Sequence, residues 1–428
     1  MTAGGTLFRL LFPAAILLSA GSGSRAQVHT GPPPGPDYSA IDAHALSAPP
    51  AAERSFKSLA DWLTGPCRSD EEKARALFRW ITQNIDYDVE ALFSGRAMSG
   101  NAGDALRDKR GVCEGYAGLF MELARASGIS AVEISGYAKG FGYVAGQSAG
   151  PAVNHAWNAV NIGGRWKLLD CTWGAGYVGD DRKFHRSFEP HFFFTPPHEF
   201  VLDHLPQKEE WQLLASPVSR REFERTVEVK PALFTLGIIP PRNTAGTIRA
   251  EGEVVLRLEL TRPVSGLASL SRGGTAAGET YTFVQEESGV LVVRVTPPEA
   301  GEYTLRLYAK SPGDTGMYAW ILGYRIESLR RPAMLPVYPR KFREFDGGHV
   351  RLLMPIRGVL EAGSKQKFRI VIPRASQAAI VVNEHWIMLR PEGEEYSGEA
   401  RVERGTIAVC ARYAGRTEWD TLLEYKGK

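Results

Sequence analysis

The hydrophobic period of this chain changes partway along it, and that change restricts the folds open to it. Up to Gly128 the apolar residues recur every three to four positions. Phe56, Leu59, Ala60 and Leu63 form one set, Ala74, Leu77, Phe78 and Ile81 a second, and Tyr116, Leu119, Phe120 and Leu123 a third. Such spacing puts each set on one face of a helix. Ser69 with Glu72 three residues on marks a capping box at the head of the second helix, and Gly128 marks the end of the third. Strands follow, at residues 132–137, 156–162 and 165–172, the last two joined by Gly163-Gly164, a two-residue hairpin turn. Helices first and a sheet second specify an α+β domain.

Beyond residue 225 the helical pattern fades. "EVVLRLELT", "VLVVRVT" and "EYTLRLYAK" are short alternating runs between Gly and Pro turns, as in a β-sandwich. A second set begins near residue 331 with "QKFRIVIP", "AAIVVN" and "TIAVCARYAG". The two sets end alike: "MYAWILGYRI" (317–326) matches "EWDTLLEYK" (418–426), with Leu322 and Tyr324 aligned to Leu423 and Tyr425. Two related sandwich modules are therefore expected, at 226–330 and 331–428, behind a helix-and-sheet domain at 53–225. A length of 428 residues accommodates three such units.

The first residues read as an export signal. Arg9 supplies a positive n-region, residues 10–18 a short apolar stretch broken by Pro13, and Ser24-Arg25-Ala26 a small-residue cleavage site, so 1–26 is expected to be removed and the protein to be periplasmic or secreted. The apolar run is shorter than the roughly 18 residues of a membrane helix, so no transmembrane span is expected after signal removal. Residues 27–52 carry six prolines and read as a disordered linker. A net charge of +3 gives no field that would recruit nucleic acid. Four cysteines in a chain this long make no disulfide framework, and no CxxC suggests a zinc ribbon. His185, His191, His198 and His204 lie six or seven apart and match no ligand pair on a helix, so neither a metal nor another cofactor is expected.

The hairpin carries the chemistry. A two-residue turn sets Ile162 opposite Arg165, which brings Trp157 opposite Asp170 and His155 opposite Thr172. His155 and Asp170 then share one face as diagonal neighbours, close enough for their side chains to meet. Cys171 must point the other way. A nucleophile is missing from this pair, and Cys113, at the head of a helix where N–H groups and the macrodipole favour a thiolate, supplies one. Its neighbour Glu114 opposes that charge. Trp157 and Tyr137 are candidates to line a substrate channel, with packing under the sheet the competing role. Spacing alone does not say whether the helix end faces the hairpin.

"RGVCEGYAGLF", "NHAWNAV" and "WKLLDCTWGAGY" resemble, in order, the Cys, His and Asp boxes of the transglutaminase-like superfamily. "DEEKARALFRWITQNIDYD", "DCTWGAG", "PHFFFTPPHEF" and "EWQLLASPVSRREF" resemble its kyphoscoliosis peptidase branch, over residues 55–225. The resemblance implies a papain-like, transglutaminase-type cysteine domain followed by two immunoglobulin-like modules. It implies Cys113 as nucleophile, His155 as general base and acid, and Asp170 as the group that orients His155. Such enzymes attack an amide of a protein or peptide and pass through a thioester to water or an amine, as peptidases, deamidases or transglutaminases. The β modules are expected to bind protein partners. Two alternatives stand beside this: a scaffold on an inherited enzyme fold, and a glycan-amide hydrolase, whose branch usually carries CxxC pairs that this chain lacks.

Overall fold

Serine caps fix the first helices. The computed structural model describes residues 36–94, 101–148, 150–179, 181–241, 245–331 and 338–428. Ser55 and Ser58 form a reciprocal capping box on the helix Phe56–Thr64. Ser69 accepts the Glu72 N–H at 3.2 Å at the head of Asp70–Asn84. Glu72 does not return the bond to Ser69; its carboxylate accepts the Arg68 N–H at 2.6 Å. The box expected there keeps only its hydroxyl half. The helix Cys113–Ala126 ends at Gly128, whose φ of 72° lets Ile129 N–H turn back to the Ala124 carbonyl at 2.9 Å. Leu77, Phe78 and Ile81 meet Tyr116, Leu119, Phe120 and Leu123 in one buried core.

Against these helices lies an antiparallel sheet. Its order is Phe193–Thr195, Arg165–Leu169, His155–Ile162, Ala131–Ala138, His204–Pro206. The hairpin keeps the register that its turn dictates, with Ile162 opposite Arg165 and Asn158 opposite Leu169, and both turn glycines have positive φ. The ladder stops there, three residues short of the expected 172. Asp170 leaves the sheet because its side chain caps the short helix Cys171–Ala175, accepting the N–H groups of Thr172 at 2.7 Å and Trp173 at 3.2 Å. A local side-chain acceptor has displaced a strand bond.

The expected linker also differs in its second part. Residues 37–48 lie between the prolines and contain none, and Ser39–Leu46 is a helix that buries Ile41 and Ala45. Arg75 anchors it, donating to both Asp42 carboxylate oxygens at 2.7 Å. The expected signal segment 1–26, and the linker up to residue 35, fall outside the described residues.

Downstream, two sandwiches repeat one topology. In the first, Ala319–Ser328 pairs antiparallel with Gly301–Lys310 and Glu228–Val229 and parallel with Thr247–Ala250. In the second, Asp420–Gly427 pairs antiparallel with Gly405–Tyr413 and Arg340–Lys341 and parallel with Val359–Leu360. Leu322 and Tyr324 are buried on the first of these strands, as Leu423 and Tyr425 are on the second. Each module has its own apolar core. The chain is thus an α+β domain followed by β-sandwich modules. Among the described residues no helix is long and apolar enough to cross a membrane.

Candidate active site

Cys113 is the first residue of its helix, after an extended Val112, and is 4% exposed. The first intrahelical bond at this end runs from Tyr116 N–H to the Val112 carbonyl, so the N–H groups of Cys113 and Glu114 have no acceptor within the helix. The helix end does face the hairpin. Cys113 and Ala117 pack on Ala156, next to His155, and Asn158 donates from its strand to the Ala117 carbonyl at 3.1 Å.

His155 lies between the thiol and the carboxylate. Its Nε2 meets Asp170 Oδ2 at 2.8 Å, which leaves Nδ1 as the ring nitrogen that the carboxylate does not engage. Burial pulls the His155 pKa down, but the Asp170 carboxylate, with Cys113 after it, outweighs burial and pushes it up to about 9. Burial works against the Asp170 charge as well, yet His155 and then His204 hold that carboxyl well below the usual range. On its other side the Cys113 thiol donates to Glu114 Oε2 at 3.1 Å. The helix head that carries Cys113 and the hairpin that carries His155 are thus brought together, and Asp170 reaches His155 from a helix cap and not from a strand.

Two neighbours escaped the sequence reading. The short parallel bridge of Asp86–Tyr87 to Arg110–Gly111 sets the Tyr87 phenol within electrostatic reach of Cys113, Glu114 and Asp170. The second is His204. Its Nε2 meets the same Asp170 Oδ2 at 3.1 Å, and its Nδ1 meets Asp203 Oδ1 at 2.6 Å. Trp173, Phe200 and Trp157 enclose it, with ring centroids 4.4, 4.2 and 5.1 Å away. No turn links it to the hairpin: 34 residues separate it from Asp170, and it arrives on the far edge strand of the sheet. The adjacent acid and base Asp203-His204 were the available signal.

Trp157 is 1% exposed, its ring 5.9 Å from His155 and its Nε1 without a hydrogen-bond partner. It lies across Gly136, where a Cβ would come within 2.4 Å of the indole. Tyr137 is elsewhere, packed with Val201, Leu205 and Phe223, with the Arg220 guanidinium 4.0 Å over its ring. Cys171 is buried in the main core, where burial raises its pKa far above that of a free thiol. All four cysteines are unpaired. His185 pairs with Asp181, while His191 and His198 lie near Glu199, so these three do not converge with His204 on a common centre.

One atom each of His155, Asp170 and His204 falls within a 4.8 Å group, compact enough to enclose an ion. The donors do not suit one. Both Nε2 atoms address a single carboxylate oxygen, Asp170 Oδ2, at hydrogen-bond distance, which leaves that oxygen taken up by the two rings.

A thiol at a helix head, set against an antiparallel sheet that carries an imidazole, with a carboxylate just past the end of one strand, is the arrangement of papain-like cysteine domains. Residues 57–171 match the family model of the transglutaminase-like superfamily. Residues 220–339 match the KY-like, immunoglobulin-like domain. The chain is 33% identical to the kyphoscoliosis peptidase of Mus musculus over 317 residues, 72% of this chain and 47% of that protein. It is 32% identical to the Homo sapiens counterpart over 303 residues, 68% and 45% of the two chains. Hillarin of Drosophila melanogaster is 32% identical over 228 residues, 50% of this chain and 27% of that one. The chain thus spans about half the length, or less, of these relatives.

Proposed function

We propose that this protein is a cysteine-dependent acyl-transfer enzyme acting on peptide or protein amides. The observation that carries the reading is a helix-head cysteine, Cys113, packed on Ala156 next to His155, whose ring is hydrogen-bonded to Asp170, on a helix end docked against the sheet. Cys113 attacks the amide carbonyl as a thiolate. His155 gives its proton to the leaving amine, the thioester forms, and water or an amine then takes the acyl group while His155 accepts a proton. The unpaired N–H groups at the helix head are donors for the oxyanion. Asp170 keeps the ring oriented and favours its charged form. Trp157 shapes the wall behind His155. Export belongs to the same proposal and rests on residues 1–26; N-terminal sequencing of the mature protein tests it, and an intact Met1 would refute it.

Incubation with a labelled amine and acceptor proteins tests the chemistry. Label incorporated only when Cys113 is present identifies a transglutaminase; hydrolysis or deamidation without label identifies a hydrolase. A second reading, a scaffold that binds partners through its β modules, draws support from the near-complete burial of Cys113 and His155. Under it, neither reaction is detected, and Cys113 alkylates at pH 6 no faster than an ordinary thiol.

A further inference from the structure

His204 has an acceptor-only neighbour at each ring nitrogen, Asp203 Oδ1 at 2.6 Å and Asp170 Oδ2 at 3.1 Å. A neutral imidazole carries one proton on its two nitrogens, so one lone pair would face a carboxylate lone pair in a fully buried site. Only the imidazolium satisfies both contacts. Asp170 is filled in turn: Oδ1 accepts from Thr172 and Trp173, and Oδ2 accepts from both histidines. The carboxylate that would serve His155 alone in a simple triad is divided here between two rings.

Resting on the acyl-transfer reading, we propose that His204 is a positioning residue that remains protonated between Asp203 and Asp170, fixes the Asp170 carboxylate, and sets the pH range of the Cys113–His155 ion pair. A resident cation beside Asp170 repels the proton on His155 and favours the thiolate beyond it. It therefore shifts the whole ion-pair window toward acid. Burial opposes the charge on His204, but Asp203 and the two hydrogen bonds push its pKa up to about 9, consistent with a charged ring at neutral pH.

The other titratable groups around it are few. His155 faces it across Asp170, and His191, in the turn Pro190–Phe192, is kept from protonating chiefly by burial. Lys139 stands behind Asp203, its backbone N–H donating to the Asp203 carbonyl and its ammonium feeling the carboxylate. The remaining contacts are the rings of Trp157, Trp173, Phe192 and Phe200.

The test uses the full chain with Asp203→Asn, which keeps the shape but lets His204 become neutral, and His204→Gln. Iodoacetamide alkylation of Cys113 against pH gives the lower midpoint of the window, and histidine NMR gives the His155 midpoint. Both are expected to move up together, by about half to one pH unit in His204→Gln, where one positive charge has gone, and by less in Asp203→Asn, where the Asp203 charge on the far side of the ring goes with it. If His204 merely props the structure, loosening it weakens the ion pair, and the His155 midpoint falls while the thiol midpoint rises. That divergence, or unmoved midpoints, overturns the proposal. Long-range proton–nitrogen spectra of the wild type provide a check free of folding artefacts. Both His204 nitrogens should carry protons at pH 7, and a single-proton ring there overturns the idea as well. Failure of the underlying reading looks different: wild-type Cys113 then shows no thiolate near pH 6, whatever the variants do.

Discussion

Glu114 is the one charge beside Cys113 that works against its thiolate. It is exposed, and its carboxylate takes the thiol proton as an acceptor at 3.1 Å. Glu114→Gln removes the repulsion while keeping an acceptor, so the alkylation midpoint of Cys113 should fall by about half to one pH unit. A rise, or no change, would show that Glu114 does not act on the sulfur. Asp170→Asn probes the other end. The amide can still cap Cys171–Ala175, but it cannot accept from two imidazole N–H groups at one oxygen. Activity should fall by roughly 10³- to 10⁴-fold, as when the orienting carboxylate of a triad becomes an amide, with thermal stability changed far less. This pair of residues marks what the sequence disclosed. Cys113, His155 and Asp170 were legible because a helix head and a two-residue turn are local features. His204 was not, because Asp170 lies 34 residues away and no turn connects the two.

At the scale of elements, the register of the hairpin was readable and its end was not. The turn Gly163-Gly164 dictates which residues oppose, but an Asp side chain competing for the next N–H groups ended the strand at Leu169. Helix docking was equally hidden, since apolar stripes tell which face is buried and not against what. Here Asn158 settles it, bonding the Ala117 carbonyl of the cysteine helix from the centre of the sheet. Asn158→Ala should cost about 1–3 kcal/mol for a lost buried hydrogen bond. It should also slow Cys113 alkylation at pH 6, because the helix end can then drift from His155. Ser69→Ala is the control. Loss of its cap on Asp70–Asn84 should cost about 1 kcal/mol and leave alkylation as it was. Equal slowing in both variants would mean that global stability, and not docking, governs the thiol.

For the whole molecule, buried bases with opposite shifts determine how stability responds to pH. His155 and His204 are raised from 6.5 to about 9, burial being outweighed by the aspartates. Their contribution is fully present below pH 6.5 and is lost as pH climbs through 9. Lys139 is lowered from 10.5 to about 7, chiefly by burial and against the pull of Asp203 and Glu228. Its ammonium donates to the Thr226 carbonyl at 3.3 Å and to the Thr226 hydroxyl, which ties the end of Ala131–Ala138 to the segment leading into the first β module. The penalty for Lys139 is complete below pH 7 and is relieved as pH rises toward 10.5. Between pH 7 and 9, two histidines therefore oppose one lysine, and stability should decline. Above 9 the lysine is opposed by Cys67, Cys171 and Cys410, whose thiols burial raises above 9, and then by tyrosines raised above 10, such as Tyr116 and Tyr425, so the decline should continue. Lys139→Met removes the offset, so the decline from pH 7 to 8 should become about twice as steep. Urea unfolding midpoints of both proteins at pH 7, 8, 9 and 9.5 measure this. Identical slopes would mean that Lys139 keeps an ordinary ammonium in the fold, and a flat wild-type profile would mean that the two histidines do not hold their protons.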